Sequence, residues 1–285
     1  MTNDISALIE AKMPTLSKGQ KRISSVIIQS YEKAAYMTAA KLGEAAGVSE
    51  STVVRFATEL GFDGYPEFQR AVQELVRTRL TPNQRIEMTN MRIGDGDLLS
   101  KVMTSDIEKI KYTLDNIDRD YFSAAVNSII NAKQIYIFGV RSSSYLASFL
   151  HFNLSMIFEN VKLIQPSGTS EVFEQTLNIS ANDVMIAISF PRYSSKAVSA
   201  VKYARAQGAD VIALTDSKSA PIAEYANQLL TAQSDMASYV DSLVAPLSII
   251  NAMLVQITKL KQEEVKERFD KLERIWEEYE VYAKQ

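Results

Sequence analysis

Two short stretches hold the residue types that could bind or transform a ligand. The first is Gly139-Val140-Arg141-Ser142-Ser143-Ser144, which follows the apolar run Ile135-Tyr136-Ile137-Phe138. The second is Ser189-Phe190-Pro191-Arg192-Tyr193-Ser194-Ser195, which follows Val184-Met185-Ile186-Ala187-Ile188. Each reads as a buried strand, a hydroxyl-rich loop and the start of a helix. That order builds anion sites: a glycine permits the tight turn, and the free N–H groups of the helix start face the ligand. Two such strand ends in one parallel sheet meet at its carboxyl edge. Arg141 and Arg192 add guanidinium forks suited to phosphate or carboxylate. Ser167-Gly168-Thr169-Ser170-Glu171 is expected at the same edge, where Glu171 could accept sugar hydroxyls or simply favour a helix N-terminus. The single histidine, His151, falls two turns into the helix after the first loop and reads as a packed, hydrogen-bonded residue.

The elements around these loops alternate strand and helix. Strands are expected at Ile135–Val140, Val161–Ile164, Val184–Ser189, Val211–Thr215 and Gln228–Thr231. Helices are expected at Ser143–Phe158, Glu171–Asn178, Ser195–Gln207 and Pro221–Ala226. This predicts an α/β domain with a doubly wound, five-stranded parallel sheet. There is no G-x-G-x-x-G and no P-loop lysine, so small phosphorylated ligands fit better than nucleotides. Asp216-Ser217-Lys218 reads as a plain turn. From Tyr239 the chain becomes helical again, and Val265, Phe269, Leu272, Trp276 and Tyr279 recur at spacings of four and three. That seam is read as a contact with a second copy of the chain.

Residues 1–80 show only helical periodicity. Ser17, Thr38 and Ser49 are each placed to cap a helix. Gly47-Val48-Ser49 is a turn of the length that joins two helices at a steep angle. In the helix from Glu50 to Leu60, Val53, Val54 and Ala57 are expected inward, leaving Ser51, Thr52 and Arg55 outward near its start. A recognition helix presents its side chains to base edges from that region. Lys18, Lys21 and Arg22 could add a local basic face, although ten Lys/Arg against nine Asp/Glu over residues 1–80 leave this part at only +1. Ala39, Leu42 and Ala45-Ala46 are expected inward in the preceding helix. Thr81-Pro82-Asn83 and Gly94-Asp95-Gly96-Asp97 bound a connector, after which Asp97 and Asp118 can cap two further helices.

The run Leu42-Gly43-Glu44-Ala45-Ala46-Gly47-Val48-Ser49-Glu50-Ser51-Thr52-Val53-Val54-Arg55-Phe56, with Leu60-Gly61-Phe62-Asp63-Gly64-Tyr65-Pro66-Glu67-Phe68, resembles the N-terminal domain of the RpiR/MurR transcription regulators. Residues 105–260 resemble the SIS phosphosugar-binding domain that accompanies it in that family. The resemblance implies a helix-turn-helix domain over 1–80, a linker over 81–104, a SIS domain over 105–260 and a C-terminal amphipathic helix over 261–285. It implies DNA contacts from Lys18, Lys21, Ser49, Ser51, Thr52 and Arg55. It carries ligand-holding hydroxyls onto Ser142, Ser143, Ser189 and Ser194, with Ser195 beside them. Many SIS domains have glycine where Arg141 stands and Ser-Gly where Pro191-Arg192 stands, so the two arginines are departures. The implied protein is a homodimer or tetramer that binds operator DNA under control of a phosphorylated or acidic sugar; repressor and activator use the same parts, and the family leans towards repression of sugar-catabolism genes.

Composition limits the alternatives. The 285 residues carry a net charge of -3 and no cysteine. That removes disulfides and thiolate metal sites and suits a reducing cytoplasm. No apolar run reaches the ~18 residues of a membrane span. No metal, cofactor or catalytic residue is expected. The rival reading is a phosphosugar isomerase or lyase with an accessory helical domain. It needs a tuned base near the sugar, for which only His151 and Glu171 offer themselves. A protein–protein adaptor would leave both the loops and the turn motif unexplained.

Overall fold

The computed structural model describes residues 5–79, 81–93, 96–165, 168, 170–235 and 238–282. Gly94 and Asp95 of the connector, and Ser167 and Thr169 of the third loop, lie outside the described residues. The chain divides into two compact units, Met1–Gly96 with Met236–Val240, and Asp97–Asp235 with Asp241–Gln285.

The first unit is helical: α1 (Ile5–Lys12), α2 (Lys18–Gln29), α3 (Tyr31–Ala34), α4 (Ala39–Ala46), α5 (Glu50–Glu59), α6 (Tyr65–Arg79) and α7 (Pro82–Ile93). Ser17 and Gln20 form a reciprocal capping box on α2, and Thr38 caps α4 by accepting from the Lys41 N–H. A single core gathers Ile9, Ile23, Ile27, Leu42, Val53, Phe56 and Phe68. Val54 is 40% exposed and Ala45 is also exposed, against expectation. A helix offers one stripe to the core, and Val53, Phe56 and Ala57 take it on α5. The aromatic residues after α5 close that core, with Phe68 edge-on to Phe56 at 5.7 Å and to Phe62 at 5.5 Å.

Tyr65 is buried in the same core and donates its hydroxyl to the Met37 carbonyl at 2.7 Å. Burial pushes its phenol up to about 12. A phenol ionises more easily in the unfolded chain, near its ordinary value of ~10. The stabilisation from neutral Tyr65 is therefore full below pH ~10 and lost as pH rises through 12. The melting temperature of this unit should fall across that window, and Tyr65→Phe should flatten the fall. An unchanged slope in the variant would assign it to other groups.

In the second unit α8 (Leu98–Asn116) and α9 (Arg119–Asn131) start at the side-chain caps Asp97 and Asp118. There follow β1 (Ile135–Gly139), α10 (Ser142–Ile157), β2 (Val161–Ile164), α11 (Ser170–Gln175), β3 (Val184–Ile188), α12 (Ser195–Ala206), β4 (Asp210–Thr215) and β5 (Gln228–Thr231). Only a 3₁₀ turn, Ala223–Tyr225, forms where a helix is expected at Pro221–Ala226. The chain closes with α13 (Val244–Leu260) and α14 (Gln262–Glu278). Among the described residues the strands form one parallel sheet in the order β2-β1-β3-β4-β5.

β1 and β3 are buried along their whole length, as inner strands covered on both faces must be. The two faces carry separate cores. Leu146, Leu150 and Leu154 of α10 pack with α9 and α13 on one side. Ala197, Ala200, Val201 and Ala204 of α12 pack on the other. Consequently the helices that follow β1 and β3 leave the sheet in opposite directions, and a crevice opens between those two strand ends. The start of α14 folds back onto its own domain: Val265 is buried, and Arg268 bonds Glu159 and the Ser155 carbonyl. Part of the seam expected to face a second copy is thus occupied by α10.

Candidate ligand cleft and nucleic-acid interface

A cleft of about 630 Å³ lies over the carboxyl ends of β1, β2 and β3, within the size range of small-molecule sites. Gly139, Val140 and Arg141 form its floor and one rim. Ser144, Tyr145 and Ser148 come from the first two turns of α10, Leu163 to Gln165 from the end of β2, and Ser194, Ser195 and Lys196 from the start of α12. Two helix N-termini from opposite faces therefore converge on one space.

Gly139 makes this geometry possible. A Cβ there would meet the Ser143 carbonyl oxygen at 2.5 Å and its carbon at 2.9 Å. Without a side chain, the first turn of α10 can settle directly on β1. Arg141 caps that turn with φ 56 and ψ -128. This is backbone that favours glycine, and an L residue there costs of order 1–3 kcal/mol. Its carbonyl accepts from the Ser144 hydroxyl at 2.6 Å. On the facing rim, Ser194 caps α12 by accepting from the Lys196 N–H at 3.2 Å. Gln165 is held by a two-way pairing: its N–H donates to Gln175 Oε1 at 3.0 Å, and the Gln175 amide donates to its carbonyl at 3.3 Å.

Of the residues expected here, Arg141, Ser194 and Ser195 border the cleft; Ser142, Ser143, Ser189, Arg192 and Glu171 do not. Ser143 is buried under Gly139, and Ser189 is buried with its N–H bonded to the Leu214 carbonyl. Ser142 and Arg192 are exposed, and Glu171 is half-buried. Asp216 is more than a turn residue: it accepts from Tyr193 at 2.8 Å and from Thr215 at 3.2 Å, tying the second loop to β4. His151 is half-buried with Ser155 3.4 Å from its Nε2, and it does not border the cleft. Tyr145, Ser148, Gln165 and Lys196 were not anticipated. The i, i+4 spacing of Ser144 and Ser148 was the available clue, because it stacks both hydroxyls on one helix face.

In the first unit, α4 ends in a left-handed turn at Gly47, φ 63, with the Val48 N–H returning to the Gly43 carbonyl at 2.8 Å. That turn sets the angle between α4 and α5. Ser49 occupies the cap position of α5, but its hydroxyl pairs with those of Ser51 and Thr52, each at 2.9 Å, instead of with a backbone N–H. Arg55 bonds back to the Ser51 carbonyl at 3.3 Å. Ser49, Ser51, Thr52 and Arg55 thus form one hydrogen-bonded cluster at the outer, N-terminal half of α5. α2 lies against it: Gly19 approaches Val48 and Thr52, and the Arg22 guanidinium lies beside Gly47. This brings the exposed Lys18, Lys21 and Arg22 beside the same surface.

The model for the rpiR-family helix-turn-helix domain matches residues 3–78, and the SIS-domain model matches residues 128–256. The chain thus carries an rpiR-family helix-turn-helix domain followed by a SIS domain. The HTH-type transcriptional regulator HexR of Pseudomonas aeruginosa is 26% identical over 263 residues, 88% of this chain and 87% of that one. Among solved structures, the sugar isomerase domain of an RpiR transcription factor from Sphaerobacter thermophilus is 27% identical, with a TM-score of 0.60 over 63% of this chain and 99% of that one. The NanR protein of Vibrio vulnificus complexed with ManNAc-6P shares the fold at 18% identity, with a TM-score of 0.61 over 99% of this chain and 100% of that one. Both α4 and α5 fall within the helix-turn-helix match, and the SIS match contains both cleft loops. No described helix is long and apolar enough to cross a membrane.

Proposed function

We propose that this chain is a cytoplasmic, DNA-binding transcriptional regulator whose operator affinity is set by a phosphorylated sugar bound in the SIS cleft. The observation that carries the reading is the pairing of two surfaces in one chain. One is the Ser49, Ser51, Thr52 and Arg55 cluster on α5; the other is a cleft with Arg141, Lys196 and four serines. Among the described residues that border the cleft there is no carboxylate or histidine to serve as a base for sugar isomerisation. This favours binding over turnover. The ManNAc-6P held by Vibrio vulnificus NanR, a chain of the same fold, supports the ligand class. A second copy of the chain would cover the exposed apolar stripe Leu99, Met103, Ile107, Ile110 and Leu114 on α8. Two α5 helices would then read a pseudo-palindromic site, and repression of sugar-catabolism genes is the sense we assign. The ligand changes DNA affinity only as far as it binds one arrangement of the dimer better than another.

Fragments selected from genomic DNA by the full-length protein provide the test. Their affinity, followed by fluorescence anisotropy, should fall with salt at a log–log slope of about -0.9 per phosphate contacted. Arg55→Ala should weaken binding by about tenfold or more. Indifference of binding to both salt and Arg55 would exclude α5 as the DNA-reading element.

A further inference from the structure

Both cations of the cleft stand where local physics disfavours them. Lys196 is the second residue of α12, at the positive end of a helix dipole, where acidic residues stabilise and lysine does the reverse. It is only partly exposed, and among the described residues its ammonium makes no hydrogen bond or ion pair. Arg141 caps α10 at that helix's positive end, in backbone that favours glycine. Local conflicts of this kind collect at functional sites, because the folded protein alone gives no return for them. Here both conflicts fall on one cleft. Two side-chain charges add to two helix ends of roughly half a charge each, with no carboxylate on the described lining to offset them. The field suits a group carrying two negative charges.

We propose that Lys196, acting with Arg141, is the specificity-determining residue that selects a doubly charged phosphoryl group over a singly charged carboxylate. This rests on reading the cleft as the ligand site. It separates the two effector classes the sequence left open, and it gives the second cationic role to Lys196 in place of Arg192, which lies off the cleft.

The test is calorimetric titration of the full-length protein with inorganic phosphate and with acetate, at about pH 7.5, where phosphate is mainly the dianion. Lys196→Gln should weaken phosphate binding about ten- to a hundredfold, the range for losing one charge-assisted hydrogen bond, and leave the weaker acetate binding nearly unchanged. Arg141→Gly should also weaken phosphate binding while raising the melting temperature, because glycine relieves the backbone. Lys202→Gln removes an exposed charge from the same helix and should leave phosphate binding at the wild-type level. Wild-type phosphate affinity in Lys196→Gln would overturn the inference and leave the anion site standing. Equal losses for phosphate and acetate would overturn the selectivity. Absence of phosphate binding to the wild type would overturn both the inference and the reading beneath it.

Discussion

Phe56→Ala should abolish DNA binding while leaving phosphate binding in place. Phe56 is fully buried at the centre of the first unit, edge-on to Phe68. Truncating a buried phenylalanine costs about 3–5 kcal/mol, the transfer term plus the cavity left behind. A core of this size supplies little more than ~5 kcal/mol in total. The unit should therefore be largely unfolded, with a loss of helical circular dichroism. Retained phosphate binding is expected because the cleft draws its residues from the second unit, which has its own cores. Calorimetry and anisotropy on one sample decide this. Wild-type operator affinity in the variant would show that the α5 surface is not held by this core. Loss of phosphate binding would show that the second unit depends on the first for its fold.

Gly139→Val should have the opposite pattern. The built Cβ lies 2.5 Å from the Ser143 carbonyl oxygen and 3.2 Å from the Ala147 Cβ, and the nearest neighbour is backbone that no rotamer change can move. The first turn of α10 must therefore shift off β1. Overpacking of this kind costs ~1–3 kcal/mol, and the two extra methyl groups of valine place it at the upper end or beyond. The shift also displaces Arg141 and Ser144 from the cleft, so phosphate binding should be lost. The melting temperature of the second unit and phosphate titration are the measurements. A variant that melts and binds like the wild type would mean that α10 does not rest on β1 as closely as described.

Much of this was legible in the sequence because short-range rules govern it. The runs of β1 and β3 are apolar on both faces, which is the mark of inner parallel strands, and the five expected strands coincide with the observed ones to within a residue at each end. Ser17, Thr38, Asp97 and Asp118 cap their helices because capping depends only on residues within one turn. Ser49 sits in the cap position yet turns its hydroxyl to its neighbours, since three hydroxyls within four residues compete for one another. Val54 was misplaced because the periodicity of a ten-residue helix leaves the edges of its buried stripe undefined.

Two domains, the turn between α4 and α5, and the strand–loop–helix order that makes an anion site can all be read from the residues alone. Glycine, serine and apolar spacing act locally, so they can be read without knowing what packs where. Which loop residues share the cleft depends instead on long-range packing. Strand order 2-1-3 sends α10 and α12 to opposite faces, and that long-range choice brings Lys196, Tyr145 and Gln165 to one opening. It also buries Ser143 and Ser189 and leaves Arg192 outside, because a side chain's direction at a strand end follows from the packing of the helix beyond it.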